Sequence, residues 1–568
     1  MTAVRFHPVT SAPIPTVLAF IPHGATVYLK GAVRIKVVFG GAVRVLGASV
    51  DASSPEQTVY SPRGFSLLGI EAVAGEGHGN PYFFTGEEAE QSFAWSPDLV
   101  DMVRKRATCE NCVAVVMKRV DEEWLQFVAR RFRLTANHTA SLFGSDKSDS
   151  TSDVEKSLNV KFYGIGLEEL CEPPGRIFRE NSDWETAVKS AVLTAEKNRT
   201  PRVLVAGGKG VGKSSFLRCY VNRLRKLLNA KSVLYLDLDP GQAEFTIPGC
   251  VSATVVSSNL LGPNFCHVSS FKQRLVFNLG QINVANCVES YLEALRMLAK
   301  TVKEDPALSS MPTCINTMGF NVGLGAHIMK ETVRLFCPST LVVLSSRHAN
   351  KNYRLDFERL LPDRCNLLTF AAMPESEDVK MTQHDLWGIP EPRKLRDLVV
   401  LAFLARFPQL SGDCKRIGFG HLAVQVAHSE DNGGDKSARR DLPDLINASL
   451  VSLSHVPPEV IRRSSEKSLG IVPRKHVAQC LGFGVVRGVD REKSSVYIVT
   501  DLEDVQLREL QVNCVTVGCV RLPDSVFKCQ VVGAIRPPYL SRVMSSNPMA
   551  EPWKRSGKPK ANFAASAN

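Results

Sequence analysis

The stretch "RVLVAGGKGVGKSSFLRCYVNRLRKLL", Arg202–Leu228, decides the fold. It opens on a short apolar run of strand character. It ends in a segment that places Phe216, Leu217, Tyr220, Val221, Leu224 and Leu228 on one helical face. Between the two, Gly207–Ser214 fits G-x-x-x-x-G-K-[ST], with strand before and helix after. Glycines let successive main-chain N–H groups converge on one point, and a helix N-terminus adds positive partial charge there. Gly207, Gly208, Lys209, Gly210, Val211, Gly212, Lys213, Ser214 and Ser215 are therefore the expected cradle for nucleotide phosphates. Lys213 is expected to reach the β- and γ-phosphates, and the Ser214 hydroxyl to ligate Mg²⁺. A functionless Gly-rich turn would share the spacing by chance, but it would not need both flanking elements.

The next apolar run, "VLYLDLDPGQAEF" (Val233–Phe245), carries two aspartates at its end. In a strand, residues i and i+2 share a face, so Asp237 and Asp239 are expected to project together and Leu236 and Leu238 oppositely. Ligands of an open parallel sheet bind outside the carboxyl ends of its strands. One carboxylate there can orient the metal or its water, and we assign Asp237 to that role. The other can accept a proton from an attacking hydroxyl. For both, a purely structural turn or cap stays open.

Working outward, short apolar runs at 275–279, 313–316 and 341–345 alternate with helical patterns. A helix in "PRKLRDLVVLAFLARF" closes this block near residue 407. The fold class expected is an α/β core, a parallel sheet with helices on both faces, flanked by N-terminal and C-terminal β-rich domains. On the N-terminal side, Val33, Ile35 and Val37 alternate with Arg34 and Lys36. Gly40-Gly41 interrupts the run and Val43 and Val45 resume it, which reads as an antiparallel hairpin. Runs at 112–120 and 125–134 read as further strands. Residues 1–170 are thus expected to form a sandwich-like domain, with a disordered Ser/Asp-rich loop at 144–157. The core domain is expected over 171–427, a polar linker over 428–444 and a β-rich domain over 445–545. A disordered basic tail is expected over 546–568.

The totals agree. With 568 residues the chain is too long for one core. A formal charge of +12 suits an anionic partner such as nucleic acid. The longest uncharged stretch, 245–271, is broken by Gly, Pro, Ser and Asn, so no membrane span is expected. The 15 cysteines are scattered and read as reduced thiols. The C-x-x-C at Cys109–Cys112 lacks the second pair that a zinc site requires. Arg218, Arg223, Arg225 and Lys226 make a basic helix face, either solvated or an RNA track.

"GGKGVGKSSF", "YLDLDPGQAEFTIPG", "LGPNF" and "INTMGFNVGLGAHI" together resemble the polynucleotide 5′-hydroxyl kinases, in particular the nucleolar branch of pre-ribosomal RNA processing. The resemblance implies an enzyme that moves the γ-phosphate of ATP, with Mg²⁺, to the 5′-hydroxyl of RNA. It implies that Lys213 and Ser214 hold ATP and Mg²⁺, and that Asp239 is the base. Gln242 would help hold the acceptor or the metal-bound water. Phe320 would stack on the terminal base where the family typically has Trp. Arg393 and Arg396 would be the lid arginines. The segment "QINVANCVESY" departs from the family's Ser/Thr-Pro clasp, leaving Asn283 and Asn286 to supply polar contacts. The resemblance further implies a nuclear, nucleolar protein, pre-rRNA 5′-OH ends as substrate and an endoribonuclease partner of the HEPN type. Two other readings remain. Gly262-Pro263-Asn264 is the tripeptide of a P-loop GTPase group, although "SSRHAN" is a poor guanine reader. A scaffold that binds ATP only to lock its fold is the other.

Overall fold

The computed structural model describes residues 4–9, 12–74, 111–136, 142, 153–163, 177–178, 180, 182–196, 200–268, 270–271, 273–362, 365–372, 391–406, 414–427 and 442–528. The central elements are β1 (Arg202–Ala206), α1 (Lys213–Leu227), β2 (Val233–Asp237), β3 (Cys250–Val256) and β4 (Gln273–Asn278). They continue with α2 (Val288–Glu304), β5 (Thr313–Asn316), α3 (Leu324–Phe336), β6 (Thr340–Ser345), β7 (Asn366–Ala371) and α4 (Pro392–Leu404). The strand order is β4-β3-β2-β5-β1-β6-β7. The near-continuous apolar strands are covered on both faces. Val203 and Val205 join the core beneath α1, while Leu204 and Ala206 join the one beneath α2 and α3.

The sheet is mixed rather than parallel. β2, β5, β1, β6 and β7 run parallel, but β3 is antiparallel to both β2 and β4. The chain from Asp237 to Cys250 contains no helix, and a parallel return needs a long crossover. It therefore comes back antiparallel on the edge beside β2. β7 carries no strong alternation and was not expected as a strand.

In the N-terminal part, the long strand Thr26–Phe39 belongs to two sheets. Its first half pairs with Leu68–Val73 and Lys161–Tyr163, its second with Gln57–Ser61 and Cys112–Arg119. Val27, Leu29, Val33, Ile35 and Val37 are fully buried between them. The hairpin expected around Gly40-Gly41 lies one turn later. Ala42–Val45 pairs with Ala48–Asp51 around Leu46-Gly47, both at positive φ. The run at 125–134 is a helix, Glu123–Ala136, not a strand. Leu125, Val128 and Phe132, at spacings of three and four, are buried. Of the loop expected at 144–157, residues 153–157 belong to a helix, Asp153–Leu158. Glu155 of that helix accepts from Phe162 N at 2.8 Å and Leu158 is fully buried. Residues 144–152 lie outside the described residues.

The C-terminal sheet begins before the expected linker. Lys415–Gly418 and Ala423–Val426 are two of its seven strands, with Ser495–Thr500, Cys480–Asp490, Leu450–Ser454, Cys514–Val517 and Gly470–Ile471. The polar stretch 428–444 is thus an insertion within this sheet's sequence, and Leu442–Ile446 is already helical. Its other residues, 428–441, and the tail 546–568 lie outside the described residues. No helix among the described residues is long and apolar enough to cross a membrane.

Candidate active site

The turn between β1 and α1 holds its shape because Gly210 and Gly212 sit at φ 80° and 94°, where a side chain would be strained. That conformation aims consecutive amides at one point above the N-terminus of α1. Lys213 is the first helical residue. Its Nζ donates to the carbonyls of Gly207 at 2.9 Å and Gly208 at 2.8 Å, bracing the loop from within. Burial pushes the Lys213 ammonium down to about 8, and Asp239 pulls it back up. Ser214 and Ser215 occupy the first turn of α1.

Asp239 lies two residues beyond β2. Its Oδ1 accepts from Gly241 N at 2.9 Å, closing the Asp-Pro-Gly turn. Burial raises its carboxyl above the ordinary value, and the neighbouring charges of Lys213 and Lys209 oppose that rise. The structure therefore brings Asp239 and Lys213 together at one site. Asp237 serves a different geometry. It is buried, with Oδ1 accepting from Asn316 Nδ2 at 3.0 Å and Asp239 N at 3.3 Å, and Oδ2 from Glu244 N at 2.6 Å. It thus ties β2, β5 and the loop after β2 to one another. Burial pushes its carboxyl up to about 7. Gln242 is exposed at the loop's tip.

Glu244 was not singled out from the sequence. It is buried, and its carboxylate takes a bidentate grip from Arg218 of α1, at 2.9 and 2.8 Å, plus His267 Nδ1 at 2.7 Å. Burial pushes this carboxyl up, but the Arg218 guanidinium and His267 outweigh it and hold it at about 2. The loop carrying Asp239 is thereby clamped to the helix carrying Lys213. Asn316 stood inside the quoted "INTMGF" without a role. Its only sequence signal was an amide at the end of the strand beside β2.

Phe320 is half-buried after β5 and packs on the core beneath α2 and α3. Its carbonyl accepts from Tyr353 Oη at 3.2 Å. The loop after β6 lies across the cradle: a Cβ on Gly208 would come within 2.2 Å of the Lys351 carbonyl. Asn321 Nδ2 fixes this loop through the carbonyls of Asn350 and Asn352, both at 2.8 Å. It is the segment weighed as a guanine reader, and "SSRHANKNY" carries no carboxylate to read guanine. Gly262-Pro263-Asn264 lies elsewhere, wedged against Tyr60 of the N-terminal domain with Asn264 donating to Ala243 O at 2.9 Å. That tripeptide is structural here.

Arg393 and Arg396 lie in the first turns of α4, around Asp397 and on the side of Asp524 and Cys519. No interaction among the described residues joins either arginine to the cradle. Every residue of the basic face of α1 already has a partner, and only Lys226 among them is exposed. Arg218 pairs with Glu244, Arg223 with Glu180, Arg225 with Asn259 and Ser257, and Lys226 with Ser49 and Asp51. Asn283 caps its own short turn, Oδ1 accepting from Ala285 N at 3.1 Å. Cys112 is buried, and no cluster of metal-ligating side chains occurs among the described residues.

A phosphate cradle at the carboxyl ends of a doubly covered sheet, with an acidic loop beside its lysine, defines a P-loop nucleotide-dependent phosphotransferase. Three family models match consecutive parts of the chain. Residues 14–163 match the N-terminal domain of polynucleotide 5′-hydroxyl-kinase NOL9, residues 207–384 the P-loop region of the mRNA cleavage and polyadenylation factor CLP1, and residues 414–523 a NOL9-like C-terminal domain. The chain belongs to the NOL9-type polynucleotide 5′-hydroxyl-kinase family. It is 26% identical over 548 residues to human polynucleotide 5′-hydroxyl-kinase NOL9, covering 88% of this chain and 74% of that protein. The Drosophila melanogaster protein of the same name is 31% identical over 320 residues, 54% of this chain and 30% of its own. Polynucleotide 5′-hydroxyl-kinase GRC3 of Saccharomyces cerevisiae is 28% identical over 266 residues, covering 44% and 41%. Among solved structures, Clp1p in its complex with Pcf11p matches 90% of this chain and 99% of its own, with a TM-score of 0.52 and 14% identity. That likeness is one of fold.

Proposed function

We propose that this chain is an ATP-dependent polynucleotide 5′-hydroxyl kinase that phosphorylates the 5′-OH of RNA. The observation that carries the reading is the adjacency of Asp239 and Lys213 within the family's own motifs. Phosphoryl transfer asks the protein for alignment and charge neutralisation rather than covalent work. The cradle amides and Lys213 would hold the β- and γ-phosphates. Asp239 would accept the proton of the attacking 5′-hydroxyl, which its raised carboxyl suits better than an ordinary aspartate. The Ser214 hydroxyl and the Asp237 carboxylate, whose oxygens already accept three N–H groups, are hard oxygen donors that would hold Mg²⁺ or its water. When bound, that ion would neutralise charge between the β- and γ-oxygens.

Gln242, exposed in the loop that carries Asp239, suits a contact with the terminal nucleotide. So does half-buried Phe320, which follows Gly319, itself packed against Lys209 of the cradle. A base stacked on Phe320 would contribute roughly 1–3 kcal/mol. Arg393 and Arg396 could serve as lid residues only if α4 approached the nucleotide. Membership of the NOL9-type family supports pre-rRNA as substrate and a nucleolar location, and work beside a HEPN-type endoribonuclease belongs to the same proposal. The deciding experiment is transfer from labelled ATP to 5′-OH RNA by wild type and Lys213→Ala. Transfer is expected only from wild type. Undiminished transfer by the variant would exclude this site.

A further inference from the structure

The C-terminal domain does not stand apart from the site. The segment after β4 runs over the Asp-Pro-Gly turn, where Ile282 O would lie 3.2 Å from a Cβ on Gly241. Tyr291 at its far end donates to Leu238 O at 2.8 Å. The other side of this segment is held by the C-terminal sheet. Asn278 Nδ2 donates to Ser452 Oγ at 2.8 Å, and Gln281 Nε2 to Ala427 O at 2.8 Å.

One turn of that domain reaches the same segment with cations. The Nε2 of buried Gln425 donates to the carbonyls of Pro473 at 3.0 Å, Arg474 at 3.4 Å and His476 at 2.7 Å, and its Oε1 accepts from Thr516 Oγ1 at 3.0 Å. A turn gripped through its main chain presents its side chains outward. Arg474 donates to Asn286 O at 3.4 Å, and Lys475 pairs with Glu289 at 2.7 Å, with both side chains of that pair more than 70% exposed. Such an exposed pair is worth little in water and gives way readily to a better anion.

We propose that Pro473–His476 is a docking finger for the acceptor strand. On this view Arg474 and Lys475 bind phosphodiesters a few nucleotides 3′ of the 5′-hydroxyl that sits at Asp239. The proposal rests on the kinase reading above and names where the strand goes once it leaves the reacting end. The geometry favours a flexible polyanion. Both ends of the short segment Ile282–Tyr291 rest on the loop that carries Asp239, and the finger meets its middle, at Asn286 and Glu289, so a strand leaving the site along this segment passes Arg474 and Lys475. Glu289 shares the patch, so phosphate must displace Lys475 from it.

The test uses the full chain with Arg474→Ala/Lys475→Ala and 5′-OH RNA acceptors of two and about fifteen nucleotides, at saturating Mg-ATP. For the long acceptor, KM is expected to rise roughly tenfold, and the slope of log affinity against log salt to flatten by about 1.4, or 0.7 per phosphate contact. KM for the dinucleotide, KM for ATP and kcat are expected to stay put, and Arg474→Lys/Lys475→Arg to restore the long acceptor. Equal losses on both lengths, or no loss on the long one, would overturn the proposal. So would unchanged RNA kinetics with loss of a bound protein partner. Anisotropy of a labelled single-stranded RNA is measured alongside. If wild type transfers no phosphate, the kinase reading fails, while this binding assay still judges the finger.

Discussion

At the level of single residues, the site is a set of carboxylates given different tasks by their surroundings. Asp239 lies within the influence of the Lys213 charge, Asp237 is spent on three N–H donors, and Glu244 is locked to Arg218. As the proposed base, Asp239 must be ionised, so acidification is expected to lower kcat/KM for 5′-OH RNA. Burial raises the Asp239 pKa above 3.8, so the fall should begin at higher pH than for a solvent carboxylate; a pH–rate profile checks this. Glu244 behaves oppositely. Its folded pKa, about 2, lies below the ordinary 4.5, so its stabilisation is full above 4.5 and is lost as pH falls toward 2. Glu244→Gln strands the Arg218 charge in the interior and is expected to cost roughly 3–5 kcal/mol. Thermal melts should show the variant less stable at neutral pH, with the gap to wild type narrowing below pH 4.5. The phosphate loop was legible because its glycines, lysine and flanking elements are local in sequence, whereas the bonds of Asp237 to Asn316 and Glu244 N were not. The clamp was not: Arg218 and Glu244 are ordinary charges until the fold sets them 2.8 Å apart. Nor could period-two reasoning foresee that Asp239 lies beyond the strand, which ends at Asp237.

Among the elements, α1 was read correctly from its helical period and β5 from its short apolar run. Those decided by tertiary context were not. The 125–134 run alternates enough to suggest a strand, yet its buried Leu125, Val128 and Phe132 keep helical spacing. β3 turned antiparallel because its connection is short, which residue pattern alone does not reveal. The close passage of the loop after β6 over the cradle gives a prediction at this scale. Gly208→Ala would drive a methyl into the Lys351 carbonyl, which a Cβ would approach to 2.2 Å. That loop must lift, so ATP affinity is expected to fall at least tenfold while thermal stability changes little, as isothermal titration and a melt would show.

For the molecule as a whole, α1 joins the parts. Its N-terminus carries the phosphate cradle, and its flank receives the N-terminal domain. Buried Asn222 donates to Leu46 O at 2.8 Å and Leu260 O at 3.1 Å, and accepts from Leu260 N at 2.8 Å. Asn222→Leu orphans these main-chain groups at about 1–3 kcal/mol each and is expected to lower Tm by roughly 5–10 °C. Differential scanning calorimetry reads the shift. Domain limits were the least legible feature. The polar run at 428–444 looked like a border, but the C-terminal sheet draws strands from both sides of it. The shared flank of α1 also bears on anyone wishing to trim the chain. A fragment started near Thr200 would keep every group assigned above to ATP and still bare Cys219 and Asn222, buried residues that meet Gly47 and Leu46 of the N-terminal domain. Such a fragment should precipitate rather than catalyse, so the smallest soluble enzyme is expected to retain the N-terminal domain.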